Sequence, residues 1–235
     1  MTTRVVGIVQ PTYLPWLPFF ERMARSDIFI YLDDVQYSKN SFHNRNAVKG
    51  PQGPILLTVP VRRSGNTGAL ISDIRTDDRS PWRRKHWQTI RQNYAHAPHF
   101  RRYADELEAL FAATTGTLTA AIMPFIEFLR RELGIQTPCL PSSQLAVSGA
   151  RNQKLVNLCH AVDGTHFIVK PGTEDYHPPE DFAPHGIAFR LFRSTPLRYP
   201  QPHGDFLPGL SALDFVLNCG PDRFMETLAA QAPHE

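Results

Sequence analysis

Apolar residues follow two rhythms along this chain. Short unbroken runs occur at Val5 to Val9 (VVGIV), at 27–32 (DIFIYL), at 55–61 (ILLTVPV), at 166–170 (HFIVK) and at 187–192 (IAFRLF). Runs of this length, bounded by polar or turn-forming residues, read as buried strands. Between them the spacing changes to that of one helix face. Phe19, Phe20 and Met23 share a stripe with Trp16, and Pro18 suits a first helical turn. Trp87, Ile90, Arg91 and Tyr94 form a second stripe, and Tyr103, Leu107, Leu110 and Phe111 a third. Leu118, Ile122, Phe125, Ile126, Leu129 and Leu133 form a longer one, closed by Gly134.

Further on, TPCLPSSQL at 137–145 predicts a strand, and Leu155, Leu158, Cys159 and Val162 predict a helix over 152–162. Ser211 and Asp214 have the form of a capping box ahead of LDFVLN, and Pro221 opens a last helix. Ser80-Pro81-Trp82 predicts a helix start with serine as the cap. Residues 37–54 are polar and bounded by glycine and proline, which predicts a long loop; RRSGNTGA at 62–69 is rich in turn residues, and LISDIRT at 70–76 predicts a returning antiparallel strand. Strands alternating with helices predict a three-layer, Rossmann-like α/β fold with a mostly parallel sheet. The helical stretch predicts an inserted subdomain over 80–134, between sheet-domain parts 1–79 and 135–235.

Composition narrows the class. The 235 residues are 42% hydrophobic, enough for a substantial core, and 21 prolines predict stiffened connections. A formal charge of +3 gives no strong nucleic-acid signal. Three cysteines without paired spacing predict neither a disulfide framework nor a zinc site, and so a reduced, cytoplasmic setting. No run approaches a membrane span, and the N-terminus is too short and proline-broken for a signal peptide. The phosphate-loop, dinucleotide and hydrolase-elbow motifs are absent, and no motif names a cofactor.

In open parallel sheets ligands bind beyond the carboxyl ends of strands. The first two such ends are QPTYLPW and DDVQYSKNSFHNRN. Gln10, Tyr13 and Trp16 supply a polar group and flat walls on a proline-stiffened loop. Asp33 and Asp34 end the second strand, where a carboxylate serves as general base, sugar-hydroxyl acceptor or magnesium ligand, or forms a turn. In NSFHNRN, Asn40, Asn44 and Asn46 combine donors with acceptors, His43 is a candidate acid–base group, and Arg45 offers a planar fork to phosphate or carboxylate. No metal site is expected from His96 and His99. Cys159-His160 reads as core packing next to a surface histidine, because neighbours on a helix diverge.

Four segments, VQPTYLPWLPFFERMARSDIFIYLDDVQYSKNSFHNRN, LLTVPV, WRRKHWQTIRQNYAHAPHF and LSALDFVLNCG, together resemble the WbqC-like protein family, in order and over nearly the whole chain. Pro18 and Phe19 stand where that family's loop commonly has glycine and tyrosine. KPGTEDYHPPEDF is similar to its glycine turn followed by a tyrosine, here Tyr176, and Tyr199 with Gln201 to a late Y-x-Q. The resemblance implies family-type positions at Gln10, Tyr13, Trp16, Asp33, Asp34, Gln36, Asn44, Arg45, Asn46, Trp87, Tyr94, Tyr176 and Asp214. It also implies surface-polysaccharide biosynthesis and the transfer of an acyl or aminoacyl group, glycyl among them, to an amino sugar. The expected partners are a small-molecule substrate such as a nucleotide sugar and an activated acyl donor. A nucleotide-binding enzyme of phosphoryl or adenylyl transfer, and a non-catalytic binding protein of a biosynthetic cluster, are the alternatives. The shared-site expectation requires the first two strands to be parallel, so that their ends lie on one edge.

Overall fold

The computed structural model describes residues 2–39, 41–62, 68–113, 116–194, 197–221 and 223–230. In chain order the elements are β1 (Val5–Val9), α1 (Leu17–Ala24), β2 (Ile28–Tyr31), β3 (Arg45–Gly50), β4 (Gly53–Thr58), α2 (Trp82–Tyr94), α3 (Phe100–Ala112), α4 (Leu118–Glu132), β5 (Cys139–Pro141), α5 (Arg151–Ala161), β6 (His166–Val169), β7 (Ala188–Leu191), α6 (Ala212–Cys219) and α7 (Arg223–Ala230). They fall into two compact units. The first comprises Met1–Gln10, Pro18–Asp34 and Gln136–Thr195; the second comprises Pro11–Leu17, Val35–Ile135 and Pro196–Glu235.

The first unit is α/β and Rossmann-like. Its five strands lie in the order β5-β2-β1-β6-β7, and every pairing is parallel. β1 runs beside β2 with Val9 opposite Tyr31, so their carboxyl ends share an edge. The strand order reverses between β1 and β6, where folds of this kind open a crevice. Val6, Ile8, Ile28 and Ile30 pack with Leu155, Val156, Leu158 and Cys159 of α5. Phe29 meets Phe19 of α1 at 5.4 Å on the other face. Alternation along the strands therefore feeds two helical layers. Gly7 is required by close packing there, since a Cβ would lie 2.5 Å from Ser26 Oγ and 2.6 Å from the Phe29 ring.

The second unit holds a two-stranded antiparallel hairpin, β3–β4, and the helices α2, α3, α4, α6 and α7. Its core is aromatic. Phe111 lies 4.6 Å from Phe125, and Trp87 is stacked between Phe100 and Phe111 at 6.0 and 6.2 Å.

Several local expectations are corrected. Residues 45–50 are a strand, not loop, because the buried positions of β3 include Asn46 and Lys49, whose polar ends find backbone partners. ILLTVPV pairs in the hairpin instead of joining the five-stranded sheet. LISDIRT makes a 3₁₀ turn at Ile71–Asp73, flanked by isolated antiparallel bridges from Leu70 to Gln36, from Arg75 to Thr117 and from Thr76 to Val61, not a returning strand. Ser80 is not the α2 cap: Pro81 holds that position, with no side-chain hydrogen bond. At α6, Ser211 accepts from Leu213 N as a cap should, but the Asp214 carboxylate turns to Tyr94 and Gln201 instead of closing the box. Residues 63–67 of the turn-rich excursion lie outside the described residues.

Candidate functional site

The first unit gathers an acidic pair at the carboxyl edge of its sheet. β2 and β5 run in parallel register, Tyr31 opposite Pro141, so the chain leaves both strands at the same place on that edge. After β2 come Asp33 and Asp34; after β5 come Ser142 and Ser143, in a single 3₁₀ turn. Asp33 Oδ1 accepts from Ser143 N at 3.0 Å and from Ser142 Oγ at 3.1 Å, and Oδ2 accepts from Ser143 Oγ at 2.7 Å. Ser142 Oγ is also in short contact with Asp34 Oδ1. Lys154, in the first half of α5, places Nζ 2.6 Å from Asp34 Oδ2 and 3.2 Å from its carbonyl oxygen.

These bonds fix both carboxylates without exhausting them. A carboxylate oxygen has two acceptor sites, and Asp33 Oδ2 uses one on Ser143. Asp33 is 8% exposed, while the Asp34 side chain is 18% exposed. The Lys154 ammonium already balances Asp34. The pair is thus better suited to hydroxyl or ammonium donors than to a divalent ion, which prefers several free oxygen ligands. Among the described residues, no group of three or more His, Cys, Asp or Glu side chains could hold a metal. Gln10, just past β1, is half-buried on the same edge, and Tyr176, in the loop after β6, is 81% exposed.

The other residues singled out in the sequence lie in the second unit. Tyr13 is fully buried, with its hydroxyl 2.9 Å from His86 Nδ1 and its ring edge-on to Trp82 and Phe125. Burial pushes the Tyr13 hydroxyl well above its usual range, against the pull of Arg83, and lowers His86 to about 4. Asn46 Nδ2 donates to Leu14 O at 2.7 Å, and Trp16 bridges Ser211, so the QPTYLPW loop is tied down at both points. Trp16 is half-buried and meets exposed Phe42 at 5.0 Å. Asn44 Nδ2 donates to Val59 O at 2.7 Å. His43 is buried, receives Ser38 N at 3.4 Å, and is held below its ordinary pKa by that burial. Arg45 is half-buried at the start of β3, and Gln36 is exposed and bridges Leu70. Asn40 lies outside the described residues.

Tyr94 and Asp214 belong to a buried network. Tyr94 donates to Asp214 Oδ1 at 2.7 Å and accepts from Lys49 N, while Gln201 Nε2 donates to Asp214 Oδ2 at 2.9 Å. Burial raises the Asp214 carboxyl, opposed by hydrogen bonds from Tyr94, Tyr199 and Gln201 and by the charge of Lys49. Trp87 is buried and donates to Glu108 Oε1 at 3.0 Å.

Sequence reasoning missed Ser142, Ser143 and Lys154. The available signal was a serine pair inside the predicted strand TPCLPSSQL; the observed strand stops at Pro141, which leaves the pair just past its carboxyl end. In a parallel sheet such a pair must lie on the same edge as the aspartates.

No solved structure matches the chain. It is 32% identical over 219 residues to "Uncharacterized protein Rv1507c" of Mycobacterium tuberculosis (strain ATCC 25618 / H37Rv), an alignment spanning 92% of this chain and 94% of the relative. The model of the WbqC-like protein family matches residues 10–226, the stretch that carries the paired aspartates, the buried Tyr94–Asp214 network and the proline-stiffened loop alike. On this match and this relative, the chain belongs to the WbqC-like protein family.

Proposed function

We propose that the protein is a cytoplasmic transferase that moves an acyl or aminoacyl group, glycyl among them, onto an amino sugar or similar small metabolite of surface-polysaccharide biosynthesis. The observation that supports this reading is the Asp33–Asp34 pair, held at the carboxyl edge by Ser142, Ser143 and Lys154. An ammonium must shed a proton before it attacks. In the reaction the amine nitrogen bonds to the acyl carbonyl carbon, the bond from that carbon to its activating group breaks, and the amine proton passes to a carboxylate. Asp33 Oδ2, with an acceptor site left over, is the assigned base; Asp34, balanced by Lys154, holds a sugar hydroxyl. Gln10 and Tyr176, which belong to the first unit like the aspartates, are assigned to the same substrate.

The test is transfer of radiolabelled glycine from an activated glycyl donor to a panel of hexosamines, free and nucleotide-linked. Product forms on at least one hexosamine and not on the parent hexose. Absence of product across the panel rejects the transferase. A second reading has one favourable observation: acids just past the second strand of a Rossmann-like sheet are placed where such folds hold ribose hydroxyls. On that reading calorimetry with a nucleotide panel, with and without magnesium, gives saturable heats even where transfer fails.

A further inference from the structure

Between the start of α2 and the end of α3, wholly inside the second unit, lies an open cavity of about 410 Å³. That is within the range of small-molecule sites. Its walls include Ser80, Pro81, Arg84, Trp87, Glu108 and Phe111.

Three features of the lining define a ligand. The first is a fixed acceptor. Glu108 Oε1 takes the indole N–H of Trp87 at 3.0 Å. Trp87 is 8% exposed and stacked on Phe100 and Phe111, so the exposed Glu108 carboxylate is bonded to a well-packed indole. Its second oxygen suits a hydroxyl donor. The second feature is a cationic side. Arg83 is paired with Asp78 Oδ1 at 2.5 Å and lies 4.3 Å from the Trp82 ring centroid, which fixes it as part of the wall. Arg84, next along, is exposed, and its planar fork matches a phosphate. The first turn of α2 carries no acid, and of the two carboxylates in the lining Asp78 is paired with Arg83 and Glu108 accepts from Trp87. The third feature is an apolar wall of Pro81, Phe111 and Ala112, beside which the C–H face of a sugar ring can lie.

We infer that this cavity is a binding site for a phosphorylated sugar or comparable polyol phosphate, with the phosphate on Arg84, a ring hydroxyl on Glu108 and the C–H face against Phe111. The site shares no residue with the aspartate pair and does not depend on the transferase reading.

The test is calorimetry of the full chain with glucose 6-phosphate, and with inorganic phosphate and glucose as controls. The sugar phosphate binds saturably, and at least about tenfold more tightly than either control, because each half contributes its own hydrogen bonds. Arg84→Met and Glu108→Gln each weaken it by about tenfold or more. Glutamine can still accept from the Trp87 indole and Arg84 is exposed, so both variants keep the wild-type melting temperature. Glu108→Gln leaves inorganic phosphate binding unchanged, whereas Arg84→Met lowers it. No saturable heat with glucose 6-phosphate overturns the site. Binding no tighter than phosphate alone overturns the sugar half, and full affinity in both variants overturns the location.

Discussion

The acidic pair of the first unit and the buried polar pairs of the second are placed differently. In the second unit, polar groups are paired off in the interior: Tyr13 with His86, Tyr94 and Gln201 with Asp214, Asn46 with the Leu14 carbonyl. In the first unit Glu21 is likewise buried and paired, with Arg25 and Ser194, but the acidic pair sits at the sheet edge, tied to two serines and a lysine, with Asp33 8% and the Asp34 side chain 18% exposed and acceptor capacity left over. Interior pairs hold a fold together, because a buried donor or acceptor that loses its partner costs the full desolvation penalty. The edge pair is held by its own hydrogen bonds and in addition keeps acceptor sites for a ligand. Substitution should therefore separate the two, with the larger stability losses among the buried pairs and the larger functional losses at the edge.

The strongest break is expected at Asp214. Asp214→Ala leaves the Tyr94 hydroxyl and the Gln201 amide without their acceptor inside the core, and should lower unfolding free energy by about 3–5 kcal/mol in denaturant titration. Next comes pH. His86 is depressed to about 4 in the folded protein, from an ordinary 6.5. The unfolded chain binds more protons between those values. Stability from this group is full above pH 6.5 and is lost as pH falls toward 4, by on the order of 3 kcal/mol. Buried His43 shifts in the same direction and adds to the slope. Urea titrations at pH 7 and pH 4.5 should show the loss, and His86→Leu should flatten the difference. Tyr13→Phe removes one hydrogen bond and strands His86 Nδ1, at a cost of about 1–2 kcal/mol. A comparable loss is expected in the first unit: Lys154→Met, at an ion pair whose side chains are only 12% and 18% exposed, leaves Asp34 without its counter-charge and should cost about 1–2 kcal/mol. The same substitution should also weaken substrate binding, since it leaves Asp34 unbalanced.

How legible this was in the sequence depended on what the chain buries. β1, α1 and β2 were readable because their interior positions are apolar and keep strand or helix spacing. β3 was not, because its inward positions include Asn46 and Lys49. Asn46 is satisfied by Leu14 O, and Lys49 Nζ by the Gly204 and Asp205 carbonyls, partners set by tertiary structure. The Asp214 carboxylate was misread as part of a cap for a similar reason: its partners Tyr94 and Gln201 are 120 and 13 positions away. Asp33 and Asp34 stood out because a double acid ends an apolar run. Ser142, Ser143 and Lys154 did not, because only the parallel register of β2 with β5 brings residues 108 to 120 positions distant to the aspartates.

The central claim is that the edge pair serves chemistry more than folding. The most direct measurement sets the double variant Asp33→Asn/Asp34→Asn beside the wild type in two assays, glycyl transfer to a hexosamine and thermal unfolding. The account predicts that transfer falls by about a hundredfold or more, the usual scale for loss of an acid–base group, while the melting temperature moves by only about 4 °C or less. Normal transfer by the double variant, or a collapse of stability equal to that of Asp214→Ala, contradicts it.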